Sequence, residues 1–275
     1  MHTLDMSHSE TSPPRLPLRQ ASPETDRRRL RRELAQAVER GSFALHYQPR
    51  LSLRSGREVA AEALLRWPNG PRGMISPATF LPIAAEAGLA LAIGGWVLAT
   101  ACAAGAAWPG ESIISVNIAP QQLESLALSG QVAAALEQSG LPPERLELEL
   151  PEDVLTGIDS DGLLTLSALR DIGMGLTLDD FGAGIASLSM LRRLPLTGLK
   201  LDRSVVRSLP DSREDAAMAQ ATIHLAHMLG LSITAEGIET EAQRSFLATA
   251  GCDDGQGYLF SMPLPAERML ARSLG

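Results

Sequence analysis

The chain has 275 residues, 45% of them hydrophobic, and a formal charge of −8, which excludes collagen-like, disordered and disulfide-scaffold classes. Residues 1–40 hold eight Arg against six acids, leaving 16 cations against 26 acids, or −10, in residues 41–275; a body that acidic is a poor partner for nucleic-acid polymers, whose binding depends on phosphate neutralisation. Only two cysteines, Cys102 and Cys252, are present, which fits a reduced, cytoplasmic protein better than a secreted one.

Residues 1–25 are Pro/Ser/Arg-containing and aperiodic and read as a disordered tail without a signal-peptide core. A helix is expected over 26–41, capped by Asp26, with Leu30, Leu34, Ala37 and Val38 on one face and Gly41 as its stop. Its arginines (Arg27, Arg28, Arg29, Arg31, Arg32) read as a solvated face. From Ala87 to Trp108 run 22 uncharged residues, long enough to cross a bilayer, but 13 are Ala or Gly and no Lys or Arg stands between Arg72 and Arg145 to orient a span. We therefore expect a helix or helix pair inside a soluble core and no membrane span. Eight β-like runs alternate with helical stretches: 44–48, 58–67, 113–119, 145–150, 175–180, 197–202, 231–236 and 256–260. That number closes an α/β barrel, which takes roughly 250 residues as a single domain.

Six of these apolar runs end in, or close to, a lone polar group: Gln48, Asn117, Glu149, Asp179 with Asp180, Lys200 and Glu236. The second run adds Glu62 and Arg66, and the eighth opens on Gln256. In a barrel, the C-terminal strand ends converge on one mouth. Buried carboxylates are costly unless paired or metal-bound, and several converging with a single ammonium call for cations. Hard oxygen ligands without Cys or His point to Mg²⁺ or Mn²⁺ rather than zinc. Adjacent Asp179 and Asp180 would face opposite sides of a regular strand, so the strand must break, and Phe181-Gly182-Ala183-Gly184 supplies the break. A two-metal pair suits phosphodiester hydrolysis. Lys200 is the only lysine beside 23 arginines, and a compact, strongly hydrated ammonium suits a crowded polar site where a forked guanidinium does not.

The ordered motifs carry a family resemblance. Tyr47-Gln48-Pro49, Glu62-Ala63-Leu64, Ser115-Val116-Asn117, Glu149-Leu150-Pro151-Glu152, Asp179-Asp180-Phe181-Gly182, Leu199-Lys200-Leu201-Asp202, Ala235-Glu236-Gly237 and Gln256-Gly257-Tyr258 stand in the order and spacing of the EAL-domain cyclic di-GMP phosphodiesterases, which the chain resembles from about Ser42 to Arg268. The resemblance implies a modified (β/α)₈, TIM-like barrel over 42–275 with its first strand antiparallel. It further implies hydrolysis of the bacterial second messenger cyclic di-GMP to linear pGpG with two Mg²⁺ or Mn²⁺ ions. By position, Glu62, Asn117, Glu149 and Asp179 would hold one ion, and Asp179, Asp180 and Glu236 the second, with Glu236 alternatively the base on the attacking water. Lys200 would orient that water, Gln48 and Arg66 would contact the dinucleotide, and Gln256 would lie against the metal-water cluster. Glu152 and Glu239 would fix the loop after Asp180, through which the family forms homodimers.

Two departures bear on activity. Ile185 and Ala186 stand where the family has an aromatic and a hydroxyl, and Pro151 stands where it favours Thr. They motivate an alternative, a catalytically silent module that binds the dinucleotide or a protein partner. Gly182 and Gly184 either cradle phosphate through their amides or simply permit the turn. Glu147 reads as exposed or structural, and His224 with His227 as packing or capping groups rather than a metal pair.

Overall fold

The computed structural model describes residues 23–125, 127–152, 157–182 and 191–273. Helix α1 (Pro23–Arg40) starts three residues before the expected Asp26 cap. Proline is favoured in the first turn because its missing N–H would have no partner there, and Glu24 and Asp26 place carboxylates against the positive end of the helix dipole. Residues 23–25, expected in the tail, are thus helical. Leu30, Leu34 and Ala37 are buried, Val38 packs on them, and Gly41 ends the helix at φ +61°. The arginine face is exposed and partly neutralised by Glu24, Asp26 and, on the next helix, Glu86.

β1 (Ala44–Ser52) and β2 (Glu58–Pro68) form an antiparallel hairpin with Gln48 opposite Glu62, and β3 (Met74–Ile75) pairs with the end of β2. Then come α2 (Pro77–Glu86), α3 (Ala90–Ala107), β4 (Ile113–Asn117), α4 (Pro120–Glu124), α5 (Ala127–Ser139), β5 (Leu146–Pro151), α6 (Ser160–Asp171) and β6 (Gly175–Phe181). The chain continues through β7 (Gly198–Leu201), α7 (Arg203–Val206), α8 (Arg213–Met228), β8 (Ser232–Ala235), α9 (Glu241–Thr249), β9 (Asp254–Gly255), β10 (Leu264–Pro265) and α10 (Ala266–Ser273). Strands β2, β4, β5, β6, β7, β8 and β9 lie side by side and parallel, and β1 closes the ring antiparallel to both β2 and β9. The barrel therefore has the reversed first strand that the resemblance implied.

The eighth strand is Asp254–Gly255, not the expected 256–260. After Gln256 the backbone turns around Ile238: Ile238 N donates to Gln256 O at 3.0 Å and Leu259 N to Ile238 O at 3.0 Å. The apolar alternation of that segment serves this turn rather than a ladder. Along the other strands the buried aliphatics (Val116, Leu148, Leu150, Leu178, Leu199, Leu201, Ile233) alternate with the polar residues that meet inside the barrel, so they face the helical layer.

The apolar stretch at 87–108 is one helix, α3, and the only helix among the described residues long and apolar enough to cross a membrane. Ile93, Val97, Leu98, Ala101, Cys102 and Gly105 are buried within the fold. Gly94 and Gly95 do not interrupt it; they give space to Gln122 and Gln131, whose side chains would meet an added Cβ at 2.3 and 3.0 Å. Those glutamines bond to one another at 3.0 Å, and Gln131 also bonds to Leu91 O at 3.0 Å.

Gly257 tests the turn that ends the barrel. A Cβ there would lie 2.1 Å from Ile238 O and 2.3 Å from Ile238 N, backbone atoms that cannot rotate away. Gly257→Ala is expected to lower the unfolding free energy by about 1–3 kcal/mol, the usual range for overpacking, measured as a reduced urea midpoint at unchanged m-value.

Candidate active site

The polar residues predicted from the strand ends do meet. Lys200 is fully buried on β7, with Nζ 2.6 Å from Glu236 Oε1, 2.9 Å from Glu149 Oε2, 3.2 Å from Asp179 Oδ1 and 3.3 Å from Glu62 Oε2. Glu62 is held from three sides: Asn117 Nδ2 donates to its Oε1 at 2.7 Å, and Gln256 Nε2 to its Oε2 at 2.6 Å, beside the lysine. Gln256 Nε2 also lies 3.2 Å from Gln48 Oε1, and Gln48 Nε2 donates to Ser261 O at 3.1 Å. Cross-strand register aligns the set, with Gln48 opposite Glu62 and Asn117 beside Glu149.

Burial, which alone would discharge Lys200, is outweighed by Glu149, Glu236, Glu62 and Asp179, which hold its pKa well above the ordinary value. The carboxylates separate into two kinds. Burial opposes ionisation of Glu62, yet Lys200 and the Gln256 and Asn117 hydrogen bonds bring its pKa below the usual range. Burial and the neighbouring Glu62 raise Glu149 well above it. Glu236 is pushed up to about 7, chiefly by burial with Asp179 and Glu62 adding to it, and Asp180 to about 6 by burial and Asp179. One ammonium cannot stabilise four carboxylates in their charged form.

Asp179 and Asp180 both belong to β6. Of the expected break at 181–184, Gly182 stands at φ +102° and 183–184 lie outside the described residues; the pairing with β7 slips between Leu178 and Phe181, and the chain already turns at Asp180 itself, at φ +55°. A non-glycine residue in that region is strained, a cost of order 1–3 kcal/mol tolerated at functional sites. Oxygens of Asp179, Asp180 and Glu236 lie within 4.8 Å of one another. Glu149 Oε1 is buried without a hydrogen-bond partner, and Asp179 Oδ1, though 3.2 Å from Nζ, is not aligned for a hydrogen bond. Surplus negative charge, hard oxygen donors and unsatisfied buried carboxylate oxygens together fit Mg²⁺ or Mn²⁺.

Two adjoining cavities open on this centre. One, of about 370 Å³, is lined by Gln48, Glu62, Asp179, Asp180, Glu236, Glu239, Gln256 and Tyr258. The other, of about 890 Å³, runs over Arg66 and Asn117 to the apolar side chains of α2 and α3. Arg66 is half-buried there, its Nη1 donating to Leu65 O at 2.9 Å. Glu239 N donates to Gln243 Oε1 at 2.8 Å. Glu152 follows β5 directly, and Gly182 (φ +102°) directly follows β6. Gly184, Ile185, Ala186 and the expected dimer loop lie outside the described residues.

Three residues were given no role from the sequence. Arg203 lines both cavities, and its position three residues beyond Lys200 was the available signal. Asp202 accepts from Ser204 N at 2.8 Å, and its carboxylate adds to the raised pKa of Asp180. Arg50, unremarked in the sequence, pairs with Glu147 inside the barrel at 2.8 Å; Glu147 is buried and structural, not exposed. His227 bonds Asp253 Oδ2 at 2.9 Å on the surface, as a packing contact.

A barrel with its first strand reversed and a lysine-centred acidic mouth defines the class as a modified (β/α)₈ barrel. The chain belongs to the EAL domain family, whose sequence model matches residues 31–263. It is 40% identical over 243 residues to the bifunctional diguanylate cyclase/cyclic di-GMP phosphodiesterase MucR of Pseudomonas aeruginosa, covering 87% of this chain and 36% of that protein. It is also 40% identical over 245 residues to the cyclic di-GMP phosphodiesterase NbdA of the same organism, covering 88% and 31%. The chain thus spans about a third of the length of these relatives. Among solved structures it resembles the MucR phosphodiesterase in complex with c-di-GMP, at 40% identity and a TM-score of 0.84, over 88% of this chain and all of that one. The c-di-GMP-bound EAL domain of FimX from Pseudomonas aeruginosa matches at 28% identity and a TM-score of 0.79, over 86% and 96%.

The raised carboxyls give a pH signature. Glu236 and Asp180 have folded-state pKa values of about 7 and about 6, above their ordinary 4.5 and 3.8, so their contribution to stability is fully present below the ordinary values and is lost as pH rises through 6–7. With chelator present, the Tm is expected to fall between pH 5 and pH 8, and millimolar Mg²⁺ or Mn²⁺ should flatten that fall. A metal-independent profile in scanning calorimetry would contradict the assignment.

Proposed function

We propose that the chain is a metal-dependent phosphodiesterase that hydrolyses cyclic di-GMP to linear 5′-pGpG. The observation that carries this reading is the lysine-centred cluster: four carboxylates around one buried ammonium, with unsatisfied oxygens, at the floor of cavities that reach Arg66 and Arg203. It is supported by the activities named for MucR and NbdA and by the c-di-GMP bound to two similar structures.

Glu62, Asn117, Glu149 and Asp179 would hold one ion, and Asp179, Asp180 and Glu236 the second. Two such ions supply Lewis-acid polarisation of the scissile phosphate and acidify the attacking water. The chain's own residues do the rest. Arg66 and Arg203 neutralise phosphate from the cavity wall, and the Gln48–Gln256 pair fixes one side of Glu62. Lys200 holds the carboxylate oxygens at a set separation and orients the water. Glu236 accepts the water proton as the new P–O bond forms, and the bond to the 3′ oxygen breaks with that oxygen taking up a proton from solvent.

The test is pGpG formation by the pure chain, followed chromatographically with Mg²⁺, with Mn²⁺ and with chelator. Turnover with either metal and none with chelator is expected, and Glu62→Ala should abolish it. Lys200→Arg keeps the charge but displaces the oxygens around it; it should lower kcat by about 10²-fold or more, the scale of an ångström-size misplacement, with the circular dichroism spectrum unchanged. Tight dinucleotide binding without turnover in either metal would replace this reading with that of a silent binding module.

A further inference from the structure

Below the acidic centre the barrel carries a second polar layer that hydrolysis as described leaves without a part. Inward-facing residues two apart on a strand are separated by about 7 Å. Arg50 therefore lies one step beneath Gln48, Glu147 beneath Glu149 and Ser115 beneath Asn117. Arg50 Nη1 donates to Glu147 Oε1 at 2.8 Å and Nη2 to Oε2 at 3.4 Å, and Ser115 Oγ donates to Oε1 at 2.7 Å. Arg50 Nε stands 3.7 Å from Asp254 Oδ2. The pair is almost sealed from solvent, with side chains 7% and 8% exposed. Gly175 makes room for it, since a Cβ there would lie 3.1 Å from Glu147.

Stability gives little reason for this layer. Barrel interiors are commonly filled by Val, Ile and Leu, and a well-packed apolar set is often at least as stable as a buried ion pair. Geometry gives a better one. β1 and β5 are not neighbours in the sheet, so the Arg50–Glu147 contact spans the barrel from one wall to another. On the β1 side, Gln48 is in register with Glu62; on the β5 side, Glu149 is two residues beyond Glu147. Glu149 has only one oxygen engaged, by Lys200, while Oε1 is buried without a partner. Its placement therefore depends on where β5 holds its backbone.

We infer that Arg50 and Glu147 are positioning residues: their forked contact is a strut across the barrel that sets the span between Glu62 and Glu149, and so the divalent-cation affinity of the centre. This rests on the reading of that centre as a metal site. The neutral, similarly sized variant Arg50→Met/Glu147→Leu removes both charges of the fork and leaves only the partly exposed Asp254 without its cation, and Arg50→Lys keeps the charge but loses the fork. Mn²⁺ affinity is measured by calorimetric titration without substrate, beside urea unfolding of each metal-free protein. The double variant is expected to unfold at or above the wild-type midpoint yet bind Mn²⁺ about 10- to 100-fold more weakly, the usual effect of losing support behind a ligand. Arg50→Lys should weaken binding in the same direction, and it alone decides the matter if the double variant does not fold. Mn²⁺ dissociation constants within twofold of wild type in the folded variants would overturn the strut while leaving the metal site standing. Absence of Mn²⁺ binding by the wild type would overturn the metal site, and the strut with it.

Discussion

A single ammonium is surrounded by more negative charge than it can balance. Lys200 has no solvent contact, and four carboxylates reach it at 2.6–3.3 Å. Burying such a group is tolerable only because the anions surround it, and burying the anions is tolerable only in part. Burial first, and neighbouring carboxylates after it, raise the pKa values of Glu149, Glu236 and Asp180. On the proposed reading, a divalent ion would relieve the repulsion that the lysine leaves.

Everything around that centre keeps its members apart or aligned. The apolar shell between strands and helices, with Leu148, Leu150, Leu178, Leu199, Leu201 and Ile233 all buried, supplies the burial that keeps the interior polar residues in place. Hydrogen-bonding amides finish the task on one side: Gln256, itself bonded to Gln48, and Asn117 bracket Glu62 and join Lys200 in lowering its pKa. Strain finishes it on the other, where the left-handed Asp180 lets two adjacent aspartates approach one point. Reversal of β1 is part of the same design, because it brings Gln48 and Arg50 into the interior from a strand running the other way.

Much of this was legible in the chain. Lone polar residues at the ends of apolar runs marked the mouth because nothing else justifies a carboxylate there, and each of Gln48, Glu62, Asn117, Glu149, Asp179, Lys200, Glu236 and Gln256 takes its place at it. The arithmetic of one lysine among 23 arginines singled out the residue at the centre before any motif did. Errors fell where local pattern and tertiary contact disagree. The run 256–260 alternates like a strand yet folds around Ile238, and the α1 boundary shifted because a proline and two acids make a better first turn than a single Asp cap.

By itself, then, the sequence determined the eightfold alternation, the polar strand ends and the oxygen-only ligand chemistry, because period and residue type are local properties. Which carboxylates share the lysine, which of them resist ionisation, and that Glu147 answers Arg50 across the barrel were decided only in three dimensions. Those outcomes depend on burial and on distances between strands far apart in the chain, up to the 213 residues between Gln48 and Ser261. No window of sequence contains them.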